Sequence, residues 1–172
     1  MRLFTIILIL FSITSCQTNK KEEKKELETV VEKEIAINTE DLKKEINTTM
    51  DKWHKAAAEA DEEVFFGIMD SSCIYLGTDA TERWTKQEFY DWGLKHFQGE
   101  SAWSFTANWR NIYFTDNNNY AWFEESLATW MGECRGSGVL KRINNGWKLV
   151  HYNLAVTIDN DKIKGFIELV NQ

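Results

Sequence analysis

Gly138-Val139-Leu140-Lys141-Arg142-Ile143-Asn144-Asn145-Gly146-Trp147-Lys148-Leu149-Val150-His151-Tyr152-Asn153-Leu154-Ala155-Val156 is the stretch that decides the fold. Asn145-Gly146 is its hairpin signal, because both residue types tolerate the positive φ of a two-residue turn. The arms, Arg135 to Ile143 and Trp147 to Ile158, read as paired antiparallel strands. The second arm is apolar on both faces, with Trp147, Leu149 and Ala155 on one and Val150, Leu154 and Val156 on the other. Such a strand is central, and each face must be covered. Helices take one face. The face bearing Val150, Tyr152 and Leu154 is expected to meet a second copy in a homodimer. His151 and Asn153 share the face of Leu149, and the turn sets Leu140 opposite His151 and Gly138 opposite Asn153. Gly138 and Ala155 are small, so this face is expected to be concave, with His151 and Asn153 at a cavity.

Upstream, Trp103 to Tyr113 alternates as a strand, Asp116 to Asn119 is a turn, and Tyr120 to Met131 returns. A four-residue loop there sets Asn111 opposite Glu124 and Tyr113 opposite Trp122. Glu124 then shares a face with Trp109, Tyr113, Trp122 and Trp130, and a carboxylate on an aromatic wall is a candidate acid or base. A loop one residue different puts Glu125 there instead. Earlier still, Leu42, Ile46, Met50, Trp53, Ala57 and Ala60 follow helical spacing from a start at Asn38 or Thr39. Short helices fit Glu62 to Met69, Lys86 to Phe97 and Ile163 to Val170. Cys73 to Gly77 reads as a strand, and Gly77 to Thr81 as a turn carrying Asp79, with Arg83-Trp84 pairing back. His54 and His96 read as outward-facing and without a role. Helices followed by a long paired sheet make an α+β domain, and the wedge between the layers is a natural pocket.

The net charge is −7, which repels phosphate backbones and argues against nucleic acid as a partner. No Gly-rich phosphate loop, CxxC pair or His/carboxylate cluster signals a metal, nucleotide or flavin, so no cofactor is expected. Eight tryptophans imply an aromatic interior or an aromatic-lined cavity. At the start of the chain, Arg2 precedes an apolar run from Leu3 to Ile13, and Ile13-Thr14-Ser15 sets small residues before Cys16. This is a secretory signal that resembles a bacterial lipobox, with Cys16 as the acylated residue. The run is too short to span a bilayer. Lys and Glu dominate Gln17 to Asn38, which reads as a solvated tether. The expected location is the cell envelope outside the cytoplasm, lipid-anchored, with the outer membrane favoured by Gln17 after the cysteine. Cys73 and Cys134 are left as two buried thiols or one bridge.

Tyr75-Leu76-Gly77-Thr78-Asp79, Glu82-Arg83-Trp84, Ala121-Trp122-Phe123-Glu124-Glu125, and Gly138-Val139-Leu140 through Asn145-Gly146-Trp147-Lys148-Leu149 to Tyr152-Asn153-Leu154 resemble, in that order, the SnoaL-like branch of the nuclear transport factor two-like superfamily. The resemblance covers roughly Asp41 to Ile158. It implies a cone-shaped fold with helices packed on a strongly curved, mainly antiparallel sheet, an interior cavity, and a usual dimer. The domain plan is a signal over 1–15, a lipidated cysteine and tether over 16–38, and a SnoaL-like domain over 39–172. Ketosteroid isomerases of the superfamily use a tyrosine where this chain has Trp53, an aspartate base where it has Leu76 or Gly77, and an aspartate oxyanion donor near Gly138. A histidine common in related families matches Asn153. With those roles vacant, that mechanism has no base and no oxyanion donor.

The leading expectation is an envelope protein that binds a small apolar or aromatic ligand without turning it over. The ligand-binding candidates are Trp53, Asp79, Trp84, Trp109, Tyr113, Trp122, Glu124, His151 and Asn153. Two alternatives stay open. One is a lyase or isomerase using Glu124 or Asp79 with His151, and the other is a protein-interaction module of the envelope.

Overall fold

The computed structural model describes residues 39–171. The expected signal over 1–15, the acylation point Cys16, the tether to residue 38 and the cap at Asn38 lie outside the described residues. Thr39 is already helical. Helix α1 covers 39–58, and Ile46, Met50, Trp53 and Ala57 on it are buried. Asp61 caps α2 (Glu62–Ile68) by accepting from the Val64 N–H at 3.0 Å. Strand β1 (Met69–Leu76) is longer than expected, and β2 (Arg83–Thr85) folds back on it. Thr85 and Glu88 then form a reciprocal capping box on α3 (Lys86–Gly93), which runs on into a 3-10 turn at Leu94–Gln98. Strands β3 (Thr106–Phe114), β4 (Tyr120–Thr129), β5 (Gly132–Ile143) and β6 (Gly146–Val156) follow, and α4 (Ile163–Val170) closes the chain.

The six strands form one mixed sheet in the order β2-β1-β6-β5-β4-β3. Its one parallel contact joins β1 to β6, so the last strand is central, as its two-sided apolar pattern requires. The β3–β4 register pairs Asn111 with Glu124 and Tyr113 with Trp122, as the four-residue loop predicts.

The last hairpin differs from its expected register. Its two loop residues are Asn144 and Asn145, and Ile143 pairs with Gly146, whose φ is +125°. Leu140 pairs with Leu149, but Val139 pairs with His151, so Val150 is an extra residue in a bulge. A bulge shifts the alternation by one position. Trp147 and Leu149 point inward before it, and Tyr152 and Leu154 point inward after it. His151 and Asn153, expected at the cavity, are therefore on the outer face. Tyr152 and Leu154, expected at a subunit contact, are 1 % and 4 % exposed, inside the core of the domain itself. Cys73 and Cys134 are both buried free thiols. Burial pushes the Cys73 thiol up to about 12. No helix among the described residues is long and apolar enough to cross a membrane.

Candidate functional site

Two features stand out between the helices and the inner sheet face: a closed polar cluster and an open aromatic cavity. The cluster centres on Glu125, which has no exposed surface. Its Oε1 lies 2.9 Å from His54 Nε2 and accepts from the Tyr152 hydroxyl at 2.9 Å. Its Oε2 accepts from Arg110 Nε at 2.8 Å, and Arg110 Nη2 lies 2.7 Å away without hydrogen-bond alignment. Arg110 Nη1 donates to Asn47 Oδ1 at 2.9 Å and to Asp51 Oδ1 at 3.0 Å. Burial pushes the Glu125 carboxyl up. The hydrogen bond and charge of His54, with Arg110, outweigh it and hold the group below its ordinary value. An ionised carboxylate only accepts, so His54 Nε2 carries the proton it shares with Oε1.

This carboxylate is fully buried and bonded to three side chains. Its contacts tie α1, β3, β4 and β6 together. Gly136 makes room for it, since a Cβ there would lie 2.3 Å from the Tyr152 hydroxyl and 2.8 Å from Glu125 Oε1. Trp53 belongs to the same core. It stacks on Phe65 (4.8 Å, 15°), meets Tyr152 edge-on, and does not line the aromatic cavity. His54 is inward rather than outward. The signal that finds it is Asn47, Asp51 and His54 at i, i+4 and i+7, a polar stripe beside the apolar one.

The cavity has a volume of about 270 Å³ and lies beside α3, its 3-10 extension and the end of β1. Its wall is formed by Tyr75, Trp84, Phe89, Trp92, Trp103 and Phe105, with Trp130 and Met131 also at its edge. Five of these rings lie nearly parallel. Trp84 is 5° from Phe89 and 26° from Trp92; Phe89 is 22° from both Tyr75 and Trp103. The polar groups on the wall include Glu82, His96 and Thr78. His96 Nε2 is buried without a hydrogen-bond partner. Glu82 Oε2 accepts from the Asp79 N–H at 3.2 Å. Its carboxylate folds over Gly77, where a Cβ would lie 2.1 Å from Oε2, so only glycine leaves it that room. His96, expected to face outward without a role, borders the cavity instead, and Glu82, which carried the family resemblance in Glu82-Arg83-Trp84 but was no site candidate, joins it there. A second groove, about 620 Å³, runs past Glu62, Glu63, Phe66, Lys86, Gln87 and Tyr90 with mixed charge and few rings.

Of the candidates expected at a ligand, the structure brings only Trp84 to this cavity. Asp79 is in an exposed turn, accepting from Thr81 Oγ1 at 2.6 Å and Thr81 N at 2.8 Å. Those hydrogen bonds hold its carboxyl below the ordinary value. Glu124 lies on the outer sheet face, where it accepts from the Tyr113 hydroxyl at 3.1 Å. Registers across four strands align Tyr113, Trp122, Val139 and His151 in one outer row, and Asn111, Glu124, Ser137 and Asn153 in the next. Trp109 is also exposed. The inward carboxylate is thus Glu125, and Glu124, Asp79 and His151 are not brought together. Among the described residues, no group of three or more His, Cys, Asp or Glu is placed to hold a metal ion.

The family model for the SnoaL-like domain matches residues 46–159. The chain belongs to the SnoaL-like domain family. This SnoaL-like domain is also similar to solved structures at low identity. A domain of unknown function with a cystatin-like fold from Nostoc punctiforme is 9 % identical, with a TM-score of 0.57 over 74 % of this chain and 84 % of that one. A nuclear transport factor two-like protein of unknown function from Pseudomonas putida is 11 % identical, with a TM-score of 0.53 over 69 % and 89 %. A nuclear transport factor two-like protein from Cytophaga hutchinsonii is 12 % identical, with a TM-score of 0.53 over 65 % of this chain and 95 % of that one. These likenesses establish the fold and leave the chemistry to the site. No curated protein matches the chain in sequence.

Proposed function

We propose that this SnoaL-like domain binds a small, flat aromatic ligand in the cavity beside α3, and that it holds the ligand without turning it over. The observation that carries the reading is the set of near-parallel rings bounding a space of about 270 Å³. A cavity of ~150 Å³ already admits benzene, so this one suits one or two fused rings. His96 Nε2 gives such a ligand one polar contact that no protein group supplies. Native mass spectrometry of protein purified without detergent from its own host should show a small molecule released on denaturation. Trp84→Ala should weaken binding of 1-naphthylamine about tenfold, read by tryptophan quenching. Unchanged affinity would remove the cavity as the site.

The outer face is assigned to a second copy, through residues other than those the strand pattern indicated. Trp109, Tyr113, Tyr120 and Trp122 are each 42–46 % exposed. At ~150–250 Å² per side chain they leave roughly 400 Å² of ring surface uncovered. That is half of the ~800 Å² each partner gives to a standard interface. Trp122→Glu should turn a sedimenting dimer into a monomer; a wild-type monomer at high concentration would overturn the assignment.

The same proposal places the domain on a membrane through an acyl chain on Cys16, with residues 17–38 as its tether. Cys16→Ser should move the protein from the membrane fraction to the soluble fraction of its host, and an unchanged distribution would count against acylation.

A further inference from the structure

The cavity carries information about the charge of its ligand, beyond size and flatness. We propose that it selects a planar heteroaromatic cation, with the ring stacked along the tryptophans and its N–H groups directed to Glu82 and His96. This rests on the cavity being the binding site. Four tryptophans, Trp84, Trp92, Trp103 and Trp130, contribute to its wall, and no Lys or Arg does. Tryptophan is the aromatic side chain that attracts cations most strongly. The outside of the same wall already does so, with Lys95 Nζ 5.6 Å from the Trp92 ring centroid.

Glu82 supplies the countercharge. It is half-buried, and among the described residues it forms no ion pair. Its carboxylate accepts one hydrogen bond, from the Asp79 N–H. The fully buried carboxylate, Glu125, has Arg110 as its cation. Glu82 has none, and it borders a space lined by ring faces and edges. An anionic ligand would meet that carboxylate with nothing to offset it. A neutral one would leave it unpaired as the cavity dries. Trp84 and Trp92 lie within 26° of one plane, and a flat cation matches that shared orientation better than a tetrahedral ammonium does. The net charge of −7 adds a long-range attraction of the same sign.

Two probes of one shape separate the terms. At pH 7, 4-aminoquinoline is a cation and 1-naphthylamine is neutral. Calorimetry on the full chain should give about tenfold tighter binding of 4-aminoquinoline, with no binding of the anion 1-naphthoate. Glu82→Gln keeps the size and the contact to Asp79 N–H, and it should bring the two affinities within about twofold by weakening only the cation. Equal affinities in the wild type, or an unchanged ratio in Glu82→Gln, would overturn the charge preference and leave the cavity as a neutral site. Binding of none of the three probes would overturn the cavity reading itself.

Discussion

Arg110→Met should be the most damaging conservative-sized substitution in the fold, lowering stability by about 3–5 kcal/mol in chemical denaturation. The arginine side chain is 3 % exposed and its partner Glu125 is not exposed at all. Removing the guanidinium leaves an ionised carboxylate in the core with only His54 and Tyr152 beside it. The desolvation cost then has far less charge to offset it. The double variant Arg110→Met with Glu125→Leu removes both charges and should recover much of the loss. If it is no more stable than the single variant, packing rather than charge dominates. The acid side provides a second readout. The folded Glu125 carboxyl titrates below its ordinary value near 4.5. Its contribution is therefore complete above that pH and is lost as pH falls through the lower, folded value. In Glu125→Gln that part of the acid dependence should vanish.

Gly136→Ala should cost about 2–4 kcal/mol, although it adds a single methyl. The new Cβ falls 2.3 Å from the Tyr152 hydroxyl, 2.8 Å from Glu125 Oε1 and 2.9 Å from Glu125 Cγ. A tyrosine hydroxyl at the end of a stacked ring cannot retreat, because Tyr75 and Trp53 hold the ring. The methyl therefore forces the hydroxyl and the carboxylate apart. Overpacking costs ~1–3 kcal/mol and a buried polar group left unsatisfied costs a similar amount. Gly136→Ala combined with Tyr152→Phe removes the clashing hydroxyl and should regain part of the loss. Equal melting of Gly136→Ala and wild type would mean that the cluster is looser than its distances suggest.

Element order was legible from the sequence because periodicity and turn chemistry carry it. Asp116 to Asn119 set the β3–β4 register, and the paired residues Asn111/Glu124 and Tyr113/Trp122 follow from counting. Register leaves open which face the helices cover. Both faces of β4 carry aromatic and acidic residues, Phe123 and Glu125 on one and Trp122 and Glu124 on the other, so the pattern alone is balanced. The bulge at Val150 is less legible still. No Gly or Pro marks it, yet it reverses His151, Tyr152, Asn153 and Leu154 together. Of Trp53 and Trp84, both expected at a ligand, Trp84 lines the cavity and Trp53 is packed into the core. Glu82 and His96 were not expected at the cavity, since what gives them meaning is the space between elements far apart in sequence.

The parallel contact between β1 and β6 has a consequence for the order of assembly. β1 can meet β2 early, but its other edge has no partner until the strand ending at Val156 exists. Closure of the sheet must wait for nearly the whole chain, and the loop it closes is long, which slows the step. Until then the sheet exists as two separate pieces, β1 with β2 and β3 with β4 and β5, and β6 alone joins them. Ring contacts that are local in sequence, such as Trp84 on Phe89, need no later strand, whereas Tyr152 meets Trp53 and Tyr75 only once the last strand arrives.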